Sequence, residues 1–430
     1  MFLPYGEDFL ELPDLWDGRA LRVEPGPFDA EGGREAVEKA LEEPVGSPAL
    51  HDLVRPGEKI ACVIPDLTRR AGVDTYLPLL LSRLISSGIR AEDVTVVVAL
   101  GIHRPLDEKE IEKLVGDRVL DRFKVVNHDP DSIEENLPLG VTDGGVPVQI
   151  NRNVAAADRV ILTGGISYHY FTGYGGGRKV LLPGVASRLS CQSHHRMVVS
   201  WRRKELGGTL APGVLKDNPV HREMLQACSF VGPIFLLSTI TDPRGRIIDA
   251  FSGDLRQSHA EACRAHDRFY RKEIPAPSSL VIGSAGGFPK DVNMVQAHKC
   301  LYGAHMSVIP GGAVVLFAKC SEGAGYHDFF SWFSLCRTEE DWLRELDRQY
   351  HINGQTAFST WLRARTTPTI LVSSLDREDV RSTGMIPASG VDEAISLARG
   401  LLGDLPVPII LPDAGETLTV IRSPKSNVQR

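Results

Sequence analysis

Apolar and polar positions follow a strand–loop–helix rhythm along the first half of the chain. Lys59-Ile60-Ala61-Cys62-Val63-Ile64-Pro65 is a short apolar run that ends in Asp66-Leu67-Thr68-Arg69-Arg70, and a helix is predicted from about Thr75 to Ser87. Val94-Thr95-Val96-Val97-Val98-Ala99-Leu100 is continuous and rich in β-branched residues, as a strand buried on both faces should be. It runs into Gly101-Ile102-His103-Arg104-Pro105, and Asp107 to Val115 reads as the next helix. Phe123 to Val126 and Arg159 to Thr163 read as further strands. This alternation implies an α/β fold with a largely parallel sheet and helices on its faces. Ligands bind at the carboxyl ends of strands in such sheets, so the loops after Ile64, Leu100 and Leu162 should converge on one edge.

A Pro/Ser connector, Glu273-Ile274-Pro275-Ala276-Pro277-Ser278-Ser279, follows a charged helical stretch from His259 to Lys272. Beyond it, Leu280 to Gly287, Ala313 to Ala318 and Thr369 to Val372 are strand-like, and the tail from Ser423 is polar. At 430 residues the chain exceeds one ordinary core. Two α/β domains are expected, the first over 1–274 and a smaller one over 275–412, with a cleft between them.

Composition narrows the setting. The 42% apolar and 24% charged fractions are those of a globular protein. No apolar run is long enough to span a bilayer, and the start does not read as a signal peptide. Seven scattered cysteines without a C-x-x-C argue for reduced thiols, hence a cytoplasmic location, and against a zinc ribbon. A net charge of −7 makes nucleic acid a poor partner.

Against that acidic background, Gly165 to Lys204 holds seven Arg/Lys and no Asp or Glu. Within it lies Tyr168-His169-Tyr170-Phe171-Thr172-Gly173-Tyr174-Gly175-Gly176-Gly177-Arg178-Lys179, followed by His194-His195. A local cation surplus suits an anionic guest, and glycines let a backbone pass close to one. Lys179 could clamp an anion or carry a covalent attachment. Arg178 before it and Val180 after it break the nucleotide P-loop pattern. A pyridoxal phosphate enzyme using Lys179 as a Schiff base remains a rival.

His103 and His169 sit in loops expected at the same sheet edge and suit acid/base work near neutrality. Two histidines facing one pocket would suit a reaction on mirror-image substrates. His194 and His195 point in different directions on a regular element, so at most one reaches a given metal, and a metal here would need most of its ligands from an organic chelator. Gln296 and Lys299, three apart, would share one helical face and could clamp a small carboxylate.

At these residues the chain resembles the nickel-dependent lactate racemase family. The likeness is an ordered set: Asp66-x-Thr68-Arg69, Ala99-Leu100-Gly101-x-His103-Arg104-Pro105, His169 separated by nine residues from Lys179 in a Gly-Gly-Arg-Lys context, His195, Gly287-Phe288-Pro289 and Gln296-x-x-Lys299. The resemblance implies nickel held by pyridinium-3,5-bisthiocarboxylic acid mononucleotide, tethered to Lys179 by a thioamide, with His195 as the protein's ligand and His194 as the competing choice. Asp66, Thr68, Arg69, Gly175, Gly176, Gly177 and Arg178 would hold this cofactor, and Arg69 would also contact substrate. His103 and His169 would be the acid/base pair in hydride-transfer racemisation of a 2-hydroxy acid. Gln296 and Lys299 would hold its carboxylate, with Trp361 on the pocket wall. By the same resemblance the first domain binds cofactor, the second clamps substrate, and residues 413–430 return to the first. Cofactor-synthesis enzymes would be partners for loading. A protein that binds the pincer without turning substrate over is the non-catalytic alternative. Substrate identity stays open, although His194 and His298 would suit a larger, more polar acid such as an aldonate.

Overall fold

The computed structural model describes residues 1–29, 31–203, 209–348 and 350–422; Lys204 and the polar tail from Ser423 lie outside them. The chain divides into two compact units, one of residues 27–268 and one of residues 1–26 with 269–430.

The first unit is built on a six-stranded sheet of β1 (Ile60–Pro65), β2 (Val94–Ala99), β3 (Lys124–Asn127), β4 (Arg159–Gly165), β5 (Ile234–Thr241) and β6 (Ile247–Gly253). The order is β3-β2-β1-β4-β5-β6, with only β6 antiparallel to its neighbour. All six residues of β1 are buried, so its apolar run serves two cores at once. Side chains alternate between the faces of a strand. Cys62, Ile64, Val96 and Val98 pack on one face with helix α1 (Val73–Ser86), whose buried Tyr76, Leu77, Leu80, Leu81 and Leu84 keep helical spacing. Ala61, Val63 and Val97 face the other core, with Leu181, Val185 and Met224.

Connections from β1 lead outward through β2 to β3 and then return to the other side through β4. The gap between β1 and β4 is therefore a topological switch point, where doubly wound sheets bind ligands. Asp66 follows β1, His103 follows β2 and His169 follows β4.

The second unit has a six-stranded, wholly parallel sheet. Its order is Ile386–Ala388, Thr369–Val372, Val308–Phe317, Ser278–Ser284, Ile409–Leu411 and Leu21–Arg22. The expected partition fails at both ends of the chain. Leu21–Arg22 pairs with Ile409–Leu411, and Leu418–Ile421 pairs with Arg271–Ile274, so both termini belong to the second unit. The helix before the connector, α4 (Leu255–Tyr270), also stops short of Lys272 because Arg271–Ile274 is drawn into that pairing. Sequence reading also missed β5 and β6, which complete the first sheet.

Candidate active site

Asp66 caps a single 3-10 turn, Leu67–Arg69, at the carboxyl end of β1. Its carboxylate accepts from the Thr68 amide at 2.8 Å and from the Thr68 hydroxyl, and its Oδ2 lies 2.7 Å from His103 Nδ1. Burial opposes ionisation of Asp66, but the hydrogen bond from His103, the Arg69 charge and the Thr68 hydroxyl together hold its carboxyl well below the usual carboxylate range. An ionised, 4% exposed Asp66 is thus an orienting partner for the imidazole rather than a free ligand group. Arg69 is exposed, with no hydrogen-bond or ion-pair partner among the described residues, as a residue waiting for an anion should be.

His103 is carried by a tight turn. Gly101 adopts φ +56° and donates its amide to Gly184, while the His103 amide returns to Leu100. With Nδ1 committed to Asp66, Nε2 is the nitrogen this half-buried ring presents.

His169 lies on a two-residue hairpin, Tyr168–His169 against Gly173–Tyr174. Its Nδ1 accepts from the Phe171 and Thr172 amides at 3.5 and 3.3 Å. The Phe171 ring bridges two histidines, edge-on to His169 at 4.4 Å and to His195 at 5.4 Å.

Helix α2 (Arg188–Arg203) carries both His194 and His195 and separates them. His195 Nδ1 lies 2.8 Å from the Cys191 carbonyl, which accepts its proton and leaves an Nε2 lone pair. Burial, with a contribution from the Lys179 charge, pushes the His195 imidazole down to about 4, so the ring is neutral near pH 7 and Lys179 is within electrostatic reach. His194 is fully buried, with Nε2 against the Val220 carbonyl at 3.4 Å and its Nδ1 without a partner among the described residues. Burial holds it at about 3. The two rings thus differ in which nitrogen meets a backbone carbonyl, Nδ1 in His195 and Nε2 in His194.

Two sequence expectations for the glycine segment do not survive. Arg178 is wholly buried and points inward. Its guanidinium donates to His221 Nδ1 at 3.0 Å, His259 Nε2 at 2.7 Å, and the Thr172, Gly175 and Gly176 carbonyls. It braces the loop instead of holding a cofactor. The second correction concerns the glycines, which make room for protein. A Cβ on Gly176 would meet the Gly165 carbonyl oxygen at 2.9 Å and one on Gly177 would meet His259 at 2.6 Å, both at positive φ, while the Gly175 amide is spent on Ser167. Lys179, next in the chain, stays half-buried at the edge of the site. His221 and His259 were missed because they come from α3 (Pro219–Cys228) and α4, far along the chain, with no motif to mark them. His128 ties the end of β3 to the Ala186 carbonyl at 2.9 Å.

In the other unit, Gln296 and Lys299 do share a face of α5 (Met294–His305), with Lys299 Nζ 2.8 Å from Gln296 Oε1. The Met294 and Val295 amides go to the Gly323 and Ala324 carbonyls, and the Gln296 amide to Asn293. His298 is buried and pushed down to about 3 by burial. His194 is internal as well. Trp361 joins an aromatic cluster, 5.9 Å from Trp342 and 6.2 Å from Phe358.

All seven cysteines are free and buried, and no helix among the described residues is long and apolar enough to cross a membrane. Among those residues there is also no group of three or more His, Cys, Asp or Glu placed to hold a metal.

Residues 5–207 match the family model of the lactate racemase N-terminal domain, and residues 274–420 match that of the lactate racemase C-terminal domain. A lactate racemase from Thermoanaerobacterium thermosaccharolyticum is 28% identical over 96% of this chain and 97% of its own. One from Lactiplantibacillus plantarum is 30% identical over 69% and 68% respectively. The structure of the Thermoanaerobacterium thermosaccharolyticum lactate racemase apoprotein superposes with a TM-score of 0.87 at 27% identity, covering 98% of this chain and 100% of that one. A Thermotoga maritima protein shares the fold, with a TM-score of 0.68 at 18% identity over 93% of this chain and 100% of that one. The chain belongs to the lactate racemase family and is an enzyme of the isomerase class.

Proposed function

We propose that this protein inverts the C2 centre of a 2-hydroxycarboxylate, using a nickel-pincer nucleotide tethered to Lys179. One observation carries the reading: His103 and His169 follow parallel strands of one sheet, and the Phe171 ring stands edge-on to both His169 and His195. The residues fit the cofactor. His195 offers one neutral nitrogen and the described residues offer no further ligand cluster beside it, which suits a metal whose other donors come from a chelator. Arg69 is exposed and meets its anionic groups. When bound, that group supplies a carbon able to accept and return the C2 hydride.

The chain's own residues manage the protons. His103 Nε2 takes the proton of the substrate hydroxyl, with Asp66 holding the ring and facing the charge that develops on it. The planar 2-keto acid then turns, and His169 delivers a proton to the same oxygen from Nε2 as the opposite hand forms; a ring that carries a proton on both nitrogens first gives up the Phe171 and Thr172 amides at Nδ1. One histidine therefore begins neutral and the other protonated, and they exchange states at each turnover. Arg69 meets the substrate's oxygen atoms.

The test is intact-mass and nickel analysis of protein made alongside the cofactor-synthesis enzymes, followed by a panel of chiral 2-hydroxy acids. The reading expects a Lys179 adduct, bound nickel and inversion of at least one acid. A pyridoxal adduct on Lys179, or inversion without nickel, would overturn it.

A further inference from the structure

We infer that Asp267 positions His169 through a pair of tyrosines, an inference that rests on the acid/base role just proposed for that histidine. A hairpin of two residues per strand has too few cross-strand bonds to fix its own place. Something else must hold it. Tyr168 and Tyr174 are direct cross-strand partners, as are His169 and Gly173. Both tyrosine hydroxyls donate to one oxygen, Asp267 Oδ1, at 2.7 and 2.8 Å. Asp267 comes from α4, almost one hundred residues later in the chain.

The rings are fixed as well as the hydroxyls. Tyr168 and Tyr174 lie 5.4 Å apart, and His266, the neighbour of Asp267, sets its ring edge-on to Tyr168 at 4.7 Å and to Tyr174 at 6.2 Å. Tyr174 is buried with Ile166, Ala262 and Cys263. One strand of the hairpin thus ends on the clamp at Tyr168, and the next residue is His169.

Opposite the clamp, the loop is held at Phe171 and Thr172. Asn218 Nδ2 donates to the Phe171 carbonyl at 2.9 Å and Arg178 to the Thr172 carbonyl at 2.9 Å. His169 stands between the two anchors. Gly173 allows this close seating: it has φ +79°, and a Cβ there would meet the Val214 carbonyl oxygen at 2.1 Å. Of the two anchors, the carboxylate can be altered with the least disturbance of the core, because Asp267 is only half-buried whereas Arg178 is wholly buried.

A displaced general acid or base lowers the rate of the chemical step far more than it weakens binding. A shift of about 1 Å can cost about a hundredfold. Asp267→Ala should therefore lower kcat about ten- to a hundredfold with KM within about twofold. Asp267→Asn, which keeps an oxygen acceptor, should recover most of the loss. In a His169→Ala background, Asp267→Ala should add nothing, because the residue through which it acts is gone.

The deciding experiment measures kcat and KM for these variants in cofactor-loaded protein, and backbone hydrogen exchange at Phe171 and Thr172 in the apoprotein. The inference expects the kcat loss, its recovery by Asp267→Asn, its disappearance beside His169→Ala, and exchange at both amides at least about tenfold faster in Asp267→Ala. Parent-like kcat in Asp267→Ala, loss that Asp267→Asn does not recover, or loss that adds to His169→Ala would overturn it. Should the parent lack racemase activity, the proposed function fails instead. The exchange rates then decide the clamp alone, and unchanged protection in Asp267→Ala refutes it.

Discussion

The loops that carry His103 and His169 reach the same sheet edge by opposite strategies. His103 stands on a rigid turn, and a single ionised carboxylate, Asp66, holds its ring. His169 stands on a minimal hairpin and has only the Phe171 and Thr172 amides against Nδ1, so distant residues must hold its backbone. A proton gained by His103 meets an anion across Nδ1, whereas one gained by His169 meets two N–H dipoles. The lesson is that two histidines in matching roles need not be equivalent. One is tuned by charge and the other by scaffolding.

The largest effect should come from removing either ring. His103→Ala and His169→Ala should each slow racemisation by about 10²- to 10⁴-fold while leaving the Lys179 adduct intact by mass. Loss of the adduct in either variant would move that histidine from proton transfer to cofactor binding.

Asp66→Asn sharpens the comparison. Its effect on rate should be smaller, about ten- to a hundredfold, and it should separate the two directions of reaction. Mirror-image substrates have an equilibrium constant of one, so kcat/KM must fall equally in both directions. The two kcat values should fall unequally, because only one histidine has lost its carboxylate. Equal losses would mean that Asp66 serves both rings.

The same residue predicts a stability effect with a definite sign. An Asp whose folded pKa is depressed contributes stability that is fully present above its unfolded value, about pH 4, and is lost as pH falls through the lower folded value. The stability gap between parent and Asp66→Asn, measured by denaturant unfolding, should therefore be constant above about pH 5 and close below pH 4.

Smaller still is the contrast between His195 and His194. His195→Ala should lose nickel retention, whereas His194→Gln should keep nickel and cost about 1–3 kcal/mol of stability from disturbed packing. Both imidazoles are held below their usual value, at about 4 and about 3, by burial first of all. Unfolding lets them take up protons, so each should erode apoprotein stability as pH falls from about 6.5 towards 4. Replacing His194 with Gln should flatten that slope.

Much of this was legible in the sequence, for physical reasons that differ by region. Strands β1, β2 and β4 announce themselves because a strand buried on both faces must be continuously apolar, and the loops that follow carry the site. Asp66 and His103 stood out by their positions after strands, yet their pairing was not foreseen, because 37 residues separate them and periodicity carries no such distance. Arg178 was misread for a related reason. A basic residue beside glycines looks exposed until His221 and His259 arrive from later helices to enclose it. The N-terminal segment joined the wrong domain because a two-residue strand, Leu21–Arg22, carries almost no pattern and owes its place to Ile409–Leu411.

The account turns on whether hydrogen leaves C2 as a hydride that is kept by the enzyme while the two histidines handle only the hydroxyl proton. Racemising a C2-deuterated 2-hydroxy acid in ordinary water, with both enantiomers analysed by mass, tests this directly. The account predicts that the product of inverted configuration keeps its deuterium. Washout of deuterium in step with inversion would show that a base removes C2–H as a proton, and would contradict it.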